Sequence, residues 1–437
     1  MRLQALILIV SICGFESLLY KPAGSPDRGA QDASIAARVL IGAAIEASSA
    51  RASGALGAAS DLPNPAARGS LAPNLTQAPG ERAILSWLEP TDKGLALRFS
   101  IWDQHTWGGV GTVVRRSDFD KYAEAPATVL MLGDGSLIAV WGQEIPSSGK
   151  WPGSYLYAAA SHDGGATWSA PTVVHSDRSI SEHSFSSIVA IARDRAALIW
   201  LDARDYASKN RYRLMSATVD ASGKASGEQS IDDDVCTCCP TSLAATPKGL
   251  VAAYRDHTPR EIRDIGIISQ EEGRWGQPRI LHRDGWHING CPVNGPAVSS
   301  QGTDVAVAWF TAANGAPTVN LALSHDSGAT FTKQVVLDSA ASGRRPVGRA
   351  ALVLLRGAGA VALWLRQDPG GAEIVFKALE APPEADSAAP TVLTRGKIDG
   401  LGYPRMQQVG AALVISWGGA GGDMKAVKTA AIPLVHE

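Results

Sequence analysis

The stretch SHDGGATW, residues 161–168, has a near copy in SHDSGATF at residues 324–331. Both fit the pattern Ser-x-Asp-x-Gly-x-Thr followed by an aromatic residue, and SQEEGRW at 269–275 is a shortened relative. An aspartate can accept hydrogen bonds from the N–H groups of a turn, and a glycine can take the positive φ that such a turn needs. The pattern therefore predicts a tight turn between two strands, with the aromatic packed between sheets, in preference to a calcium or sugar site.

A longer repeat surrounds these turns. Seven apolar runs each end in an aromatic residue, and successive aromatics are 54, 59, 54, 55, 55 and 53 residues apart. Each unit contains a short alternating strand, a glycine turn, the strand that ends in the aromatic, and a third strand, with a fourth in most units. Four antiparallel strands at this period predict an all-β fold, a β-propeller with seven four-stranded blades. The repeated aromatics are Trp87, Trp141, Trp200, Tyr254, Trp309, Trp364 and Trp417.

The seventh unit ends after its third strand, near MKAVKTAAIPL (424–434). A blade left short would expose an unpaired strand edge. We therefore expect ARVLIGAAI (37–45) to supply the fourth strand and close the ring. The rest of residues 23–70 is rich in Ala, Ser, Gly and Pro, which is typical of a linker or loosely ordered arm. The propeller is assigned to residues 71–437.

The first residues, MRLQALILIVSICGF, combine one basic residue with a short apolar run. This pattern predicts a signal peptide within residues 1–22 and a periplasmic or secreted protein without a membrane span. A buried N-terminal strand or helix is the alternative. Cys13 could mark a lipid anchor, but the bulky Ile12 before it favours export without one. The chain has 40 Lys and Arg against 42 Asp and Glu, which argues against a nucleic-acid partner, and we expect a monomer.

The turns quoted above resemble Asp boxes (BNR repeats), the hallmark of sialidase-like propellers, and the resemblance covers roughly residues 72–434. It implies a propeller that holds a small-molecule or glycan ligand on its central face, and an exo-α-sialidase type of glycoside hydrolase that requires no cofactor. Sialidases resemble six-bladed rings, so six blades remain the alternative to seven.

The resemblance also implies roles for individual residues. The family binds a sugar carboxylate with three arginines and pairs a tyrosine nucleophile with a glutamate, while an aspartate serves as acid/base. Arg255, directly after the blade-four aromatic, resembles one of these arginines, and Arg345 is the candidate for a second. Tyr403 in GYPRM resembles the nucleophile. Where the family carries its glutamate, this chain has Cys239 followed by a proline.

The loops that enter the first strands and those that follow the repeated aromatics are expected to meet on one face of the ring. Asp202 and Asp256 are the remaining catalytic candidates in these loops. The candidates for substrate binding are Arg204, Arg405, His257 and Glu182. The alternative interpretation of the charged residues is a set of salt bridges between loops.

Three of the five cysteines fall in VCTCCPT (235–241), as Cys236, Cys238 and Cys239. The repeat places this stretch at the mouth of the fourth blade and Cys291 at the mouth of the fifth. Three interpretations stay open: disulfides, a copper or zinc site completed by His287 or His183, or a redox-active centre.

Two functions are consistent with the sequence. One is an exported sialidase-like protein that cleaves or binds acidic glycans. The other is a non-catalytic propeller that binds a soft metal or a protein partner through its cysteine-lined mouth.

Overall fold

The computed structural model describes residues 55–146, 153–340, 343–356, 359–380, 389–418 and 427–435. These residues form seven antiparallel sheets, which are the blades of a propeller. The seven-bladed prediction is confirmed, and the six-bladed alternative is wrong. The signal segment predicted within 1–22 and the strand predicted at 37–45 lie outside the described residues.

The strands of blades I to IV follow the chain. Blade I contains β3 Leu71–Ala78, β4 Arg82–Thr91, β5 Gly94–Trp102 and β6 Gly111–Arg116. Blade II contains β7 Thr128–Met131, β8 Leu137–Ile145, β9 Gly153–Ser161 and β10 Thr172–Val173. Blade III contains β11 His183–Ala192, β12 Arg195–Asp202, β13 Tyr212–Asp220 and β14 Ala225–Val235. Blade IV contains β15 Ser242–Thr246, β16 Gly249–Arg255, β17 Ile265–Glu271, β18 Arg274–Trp275 and β19 Arg279–His282.

Blades V to VII complete the ring. Blade V contains β20 Ala297–Gln301, β21 Asp304–Thr311, β22 Thr318–Ser324 and β23 Val335–Ser339. Blade VI contains β24 Arg345–Leu354, β25 Ala360–Asp368, β26 Gly371–Leu379 and β27 Thr391–Gly396. Blade VII contains β28 Arg405–Val409, β29 Ala412–Trp417 and β30 Lys428–Val435, together with β1 Ala55–Leu56 and β2 Ser60–Asp61. Two short α-helices are described, α1 Tyr206–Lys209 and α2 Ile398–Leu401, with a 3₁₀ turn at Ala313–Gly315. No helix among the described residues has the length and apolar character needed to cross a membrane.

The first strands of the blades surround a central channel. Each first strand contacts the next around the ring, and β28 of blade VII returns to β3 of blade I. The ring is closed by hydrogen bonds between N-terminal residues and β30: Ala55 and Leu56 pair with Val435 and Leu434. Strand β2 pairs with the same edge of β30, where Ser60 and Asp61 lie opposite Ala431 and Ala430. The closing strand expected from the N-terminal side therefore exists, and residues 55–61 provide it.

The repeated aromatics form the core between blades. Each lies on the second strand of its blade and is buried. Seven hydrophobic clusters occupy the seven interfaces between blades, and each contains one of these aromatics. The buried indole N–H groups need acceptors, and Trp200 donates to Asp202 at 3.0 Å while Trp309 donates to Asp284 at 2.8 Å. The aromatics are thus structural, as the sequence predicted.

The two Asp boxes form identical turns between the third and fourth strands of blades II and V. In blade II, Asp163 Oδ1 accepts from the N–H of Thr167 at 2.9 Å, and its Oδ2 accepts from the Thr167 hydroxyl at 2.6 Å. The Ser161 hydroxyl accepts from the N–H of Gly165 at 2.8 Å. These hydrogen bonds, led by those from Thr167, lower the pKa of Asp163 to about 2. Trp168 packs edge-to-face on Phe99 of blade I, 5.9 Å between ring centroids. The boxes are therefore turns that join blades.

A buried polar cluster lies between blades II and III. The rings of His175 and His183 stack 3.6 Å apart. His175 Nδ1 donates to the carbonyl of Asp177 at 2.9 Å, and its Nε2 accepts from the N–H of Leu156 at 3.3 Å. These two hydrogen bonds select one neutral tautomer. Burial, together with the charge of His183, lowers the pKa of His175 to about 4.

Gly165→Ala should lower the free energy of unfolding by about 3 kcal/mol, because a Cβ there has to displace a packed ring and sits on strained backbone. That Cβ would lie 2.3 Å from Phe99 Cζ, at a φ of +92°. Gly164→Ala is the matched control, because φ is also positive (+70°) but no atom lies within 4 Å. Gly164→Ala should lower the free energy of unfolding by about 1 kcal/mol. Urea denaturation measures both, and equal losses would contradict the inter-blade role of the box.

The pKa of His175 predicts an acid-sensitive fold. The folded-state pKa is below the ordinary value of 6.5, so the unfolded chain binds a proton first as the pH falls. The free energy of unfolding should therefore decrease from pH 6.5 down to about 4, by about 2 kcal/mol at pH 5. Urea denaturation at pH 7.5 and 5.0 tests this, with His175→Gln as the comparison. The variant should be less stable than the wild type at pH 7.5, but its free energy of unfolding should decrease less between pH 7.5 and 5.0. An equal decrease in both proteins would refute the assignment of the acid sensitivity to His175.

Candidate active site at the channel mouth

The central channel encloses a cavity of about 780 Å³, lined by the first strands. Its mouth is the end at which these strands begin, and Glu124, Arg349, Tyr403 and Arg405 line the cavity there. At the opposite end, Arg356 forms an ion pair with Glu81. The mouth thus combines a carboxylate, two guanidinium groups and a phenol, and the sequence predicted two of these four residues.

Tyr403 is buried at the mouth. Its hydroxyl donates to the carbonyl of Val293 at 2.6 Å, and the guanidinium of Arg349 lies over its ring, 4.6 Å from the centroid. Burial raises the pKa of Tyr403 well above its ordinary value, although the charge of Arg349 opposes this. The phenol is therefore a neutral donor bonded to the main chain. The carboxylate partner that the sialidase resemblance implied is not the group it binds.

Arg405 faces the same cavity. Burial lowers its pKa to about 10, while Tyr403 and Glu124 act in the opposite direction, so the group stays a cation at neutral pH. Its Nε is buried and has no hydrogen-bond partner among the described residues. A buried donor without a partner is costly, which makes this guanidinium suited to an anionic ligand in the channel.

Asp120 is a buried carboxyl group that no pattern in the sequence indicates. It lies in the loop that leads to β7, four residues before Glu124, and accepts a hydrogen bond from the N–H of Tyr122 at 3.1 Å. Burial raises its pKa to about 7, and the charges of Glu182, Glu144 and Glu124 add to the effect. The sequence showed acidic residues in this loop, but not that one of them is enclosed among the others.

The arginines that the resemblance selected do not line the cavity. Arg255 is 1% exposed and donates to three main-chain carbonyls, those of Asn294, Arg263 and Phe310, at 2.6–2.8 Å. Its guanidinium joins blade IV to blade V, which supports a structural role. Arg345 is exposed at the start of β24. Arg349, four residues later, is the arginine that reaches Tyr403.

Asp202 and Arg204 form an ion pair between blades II and III. Arg204 donates to both oxygens of Asp202, at 2.8 and 2.7 Å, and also to Glu228 at 2.5 Å. Burial acts to raise the pKa of Asp202, but these hydrogen bonds and the nearby His183 hold it below the ordinary value. Nε2 of His183 lies 3.5 Å from Asp202. The pair matches the salt-bridge alternative and does not line the cavity.

Glu182, Asp256 and His257 occupy the loops around the mouth. Glu182 accepts from the hydroxyl of Tyr212 at 2.7 Å, so a tyrosine–glutamate pair exists, although neither residue lines the cavity. Burial, with the charge of Asp232, raises the pKa of Asp256 to about 7. His257 forms a hydrogen bond with Asp234, with 2.6 Å between Nδ1 of His257 and Oδ1 of Asp234.

The loops that enter blades IV and V bring the cysteines together, and Cys236, Cys238 and Cys239 also pack against blade III. Cys238 and Cys291 form a disulfide. Cys236 and Cys239 are free thiols, buried, with their Sγ atoms 3.5 Å apart. The hydrogen bond between the two thiols lowers the pKa of Cys236 to about 6, against the effect of burial and with help from nearby arginines, whereas burial raises the pKa of Cys239. His287 is exposed and is not among the side chains that converge on the sulfurs in the described structure.

Comparison with known proteins supports the architecture. Among solved structures, an α-L-arabinofuranosidase from Fusarium graminearum in complex with an iminosugar inhibitor is 13% identical, with a TM-score of 0.50 over 87% of this chain and 98% of that chain. A polysaccharide lyase, an ulvan lyase of family PL25, is 12% identical, with a TM-score of 0.50 over 86% of this chain and 94% of its own. The NanB sialidase from Streptococcus pneumoniae is 10% identical, with a TM-score of 0.46 over 87% of this chain and 70% of its own.

At these identities the likeness concerns the fold. No curated protein matches the chain. The model of the BNR repeat-like domain matches residues 92–415, which is well over half of the chain and spans parts of all seven blades. The chain belongs to the BNR repeat-like domain family.

Proposed function

We propose that the protein is an exported glycoside hydrolase that binds an acidic glycan at the channel mouth and cleaves it by acid–base catalysis. The observation that carries the proposal is a pair of carboxyl groups in one loop: Glu124 lines the mouth together with two arginines, and Asp120, four residues before it, is buried outside the cavity lining but feels the charge of Glu124. The solved structures with this fold include enzymes that act on glycans, which supports the substrate class.

Asp120 is suited to the role of general acid. Glycoside hydrolysis needs one carboxyl group that is protonated and a second that is ionised. A pKa of about 7 leaves Asp120 partly protonated at neutral pH, so that it can donate a proton to the leaving oxygen. Glu124 lines the cavity and is the candidate for the second carboxylate.

Arg405 and Arg349 supply the recognition of negative charge. Planar guanidinium groups pair with the two oxygens of a carboxylate, as in a uronic or sialic acid. The Nε of Arg405 needs a partner that the described residues do not provide. Sialidase chemistry has less support, because Tyr403 binds a carbonyl and Arg255 is enclosed by main-chain carbonyls.

Export is part of the same proposal. It rests on the signal-like pattern within residues 1–22 and on the Cys238–Cys291 disulfide, which is a bond typical of oxidising compartments.

Asp120→Asn should reduce kcat at least about 100-fold, because it removes the proton donor. A panel of aryl glycosides, including sialosides and uronides, identifies the substrate and measures the rates. Activity of the wild-type protein should also fall as the pH rises above 7. Asp118→Asn is the matched control, because Asp118 lies in the same loop but pairs with Arg116 at the surface. If both variants keep wild-type activity on the best substrate, Asp120 is not the acid.

Arg405→Met should weaken the binding of an acidic oligosaccharide by about 10- to 100-fold, the loss expected for a hydrogen bond to a charged group. Isothermal calorimetry measures the Kd. Arg356→Met is the control, because Arg356 lines the far end of the same cavity and is already paired with Glu81. Equal affinities for the two variants would place the ligand elsewhere.

A further inference from the structure

Three of the four cysteines in the loops that enter blades IV and V have the spacing of metal ligands. The Sγ atoms of Cys236, Cys238 and Cys239 all lie within 4.8 Å of one another. Cys236 Sγ is 3.5 Å from Cys239 Sγ and 3.9 Å from Cys238 Sγ. A tetrahedral ion with metal–sulfur bonds of about 2.3 Å holds its sulfurs about 3.8 Å apart. Three of the sulfurs therefore already have the spacing of ligands, and the disulfide keeps Cys291 beside them.

The surroundings suit a negatively charged metal–thiolate centre. Arg263 is 8% exposed, its charge acts on Cys236, and its Nε is buried with no hydrogen-bond partner among the described residues. The N–H of Asn294 donates to Cys239 Sγ at 3.3 Å. A divalent or monovalent ion with three or four thiolates carries net negative charge. Buried cations and N–H donors around the sulfurs stabilise such a centre and tune it.

We propose that Cys236, Cys238, Cys239 and Cys291 bind a soft d¹⁰ cation, zinc(II) or copper(I), once the Cys238–Cys291 disulfide is reduced. Thiolates select such ions over hard cations. The proposal is independent of the glycosidase function, because no residue of the channel mouth takes part in it.

Reduction makes the ligands available. A dithiol reductant gives two electrons and two protons to the disulfide, which becomes the thiols of Cys238 and Cys291, while the reductant is oxidised to its own disulfide. The cation then replaces the protons of the thiols as it binds. Cys291 is exposed, whereas Cys236 and Cys239 are buried, so the loop that carries Cys291 is the access route to the site.

The test uses the full chain in a Cys13→Ser background, so that only the four cysteines are counted. The protein is treated with a chelator and then given zinc(II) or copper(I), with and without a dithiol reductant. Elemental analysis gives the metal content after removal of free ion, and a thiol assay gives the redox state. We expect four thiols and one bound ion per chain after reduction, and two thiols with little metal before it. Cobalt(II) in place of zinc should show thiolate charge-transfer bands.

Variants separate the ligands from the rest of the loop. Cys236→Ser removes one of the three sulfurs that already lie within 4.8 Å of one another and should lose the ion even when reduced, whereas Thr237→Ser, in the same loop, should bind as the parent does. Cys291→Ser cannot form the disulfide and should bind an ion without reductant through the three remaining thiols. Arg263→Met should weaken binding about 10- to 100-fold, as expected for a group beside the ligands. Circular dichroism confirms that each variant is folded.

Two results would overturn the proposal. One is a reduced parent protein that shows four free thiols and retains neither ion. The other is Cys236→Ser that retains as much metal as the parent. If Cys236 and Cys239 instead form a second disulfide and the reduced protein stays free of metal, the cluster is a pair of structural disulfides.

Discussion

Each blade of this propeller is apolar on both faces, and the buried aromatic at each interface sets how closely neighbouring blades approach. One aromatic residue lies in each of the seven clusters between blades. Replacement of a buried Trp by Ala in other protein cores lowers the free energy of unfolding by about 3–5 kcal/mol. Because no blade can bury both faces without two neighbours, the ring is stable only when it is closed. The positions of the mouth residues follow from that closure, since they come from loops of different blades.

Asn294 shows how closure shapes the site. Its carbonyl accepts from Arg255, its N–H reaches Cys239, and its side chain accepts from the N–H of Arg349 at 2.8 Å. Blades IV, V and VI therefore meet at one residue, which is 6% exposed. Asn294 therefore holds both Arg349, the arginine that lies over Tyr403, and the sulfur cluster. The catalytic and metal proposals concern separate groups, but a change at Asn294 would disturb both.

The sequence predicted the architecture well because the repeat is a local pattern that one blade carries by itself. It predicted less of the site, because enclosure is not a local property. In the sequence Asp120 looks like any surface aspartate. Only the fold buries it and brings it within reach of the charges of Glu182, Glu144 and Glu124. Arg349 was missed in favour of Arg345 because β24 contains irregular pairing between Pro346 and Ala351, which changes the residues that face the channel. The sequence did not indicate residues 55–61 as closing strands, because two-residue strands have no periodicity.

The closure between β1 and β30 has a consequence for how the chain folds. The Asp-box turns join residues four apart, so they can form early, as can the hairpins of each blade. The pairing of Ala55 with Val435 joins residues from opposite ends of the described chain, and such contacts are slow to form. Until they form, the edge of β30 stays open to pairing with another chain. Aggregation therefore competes with folding while the last blade assembles. The pairing of residues 55–61 with β30 covers the open edge and removes this site of aggregation.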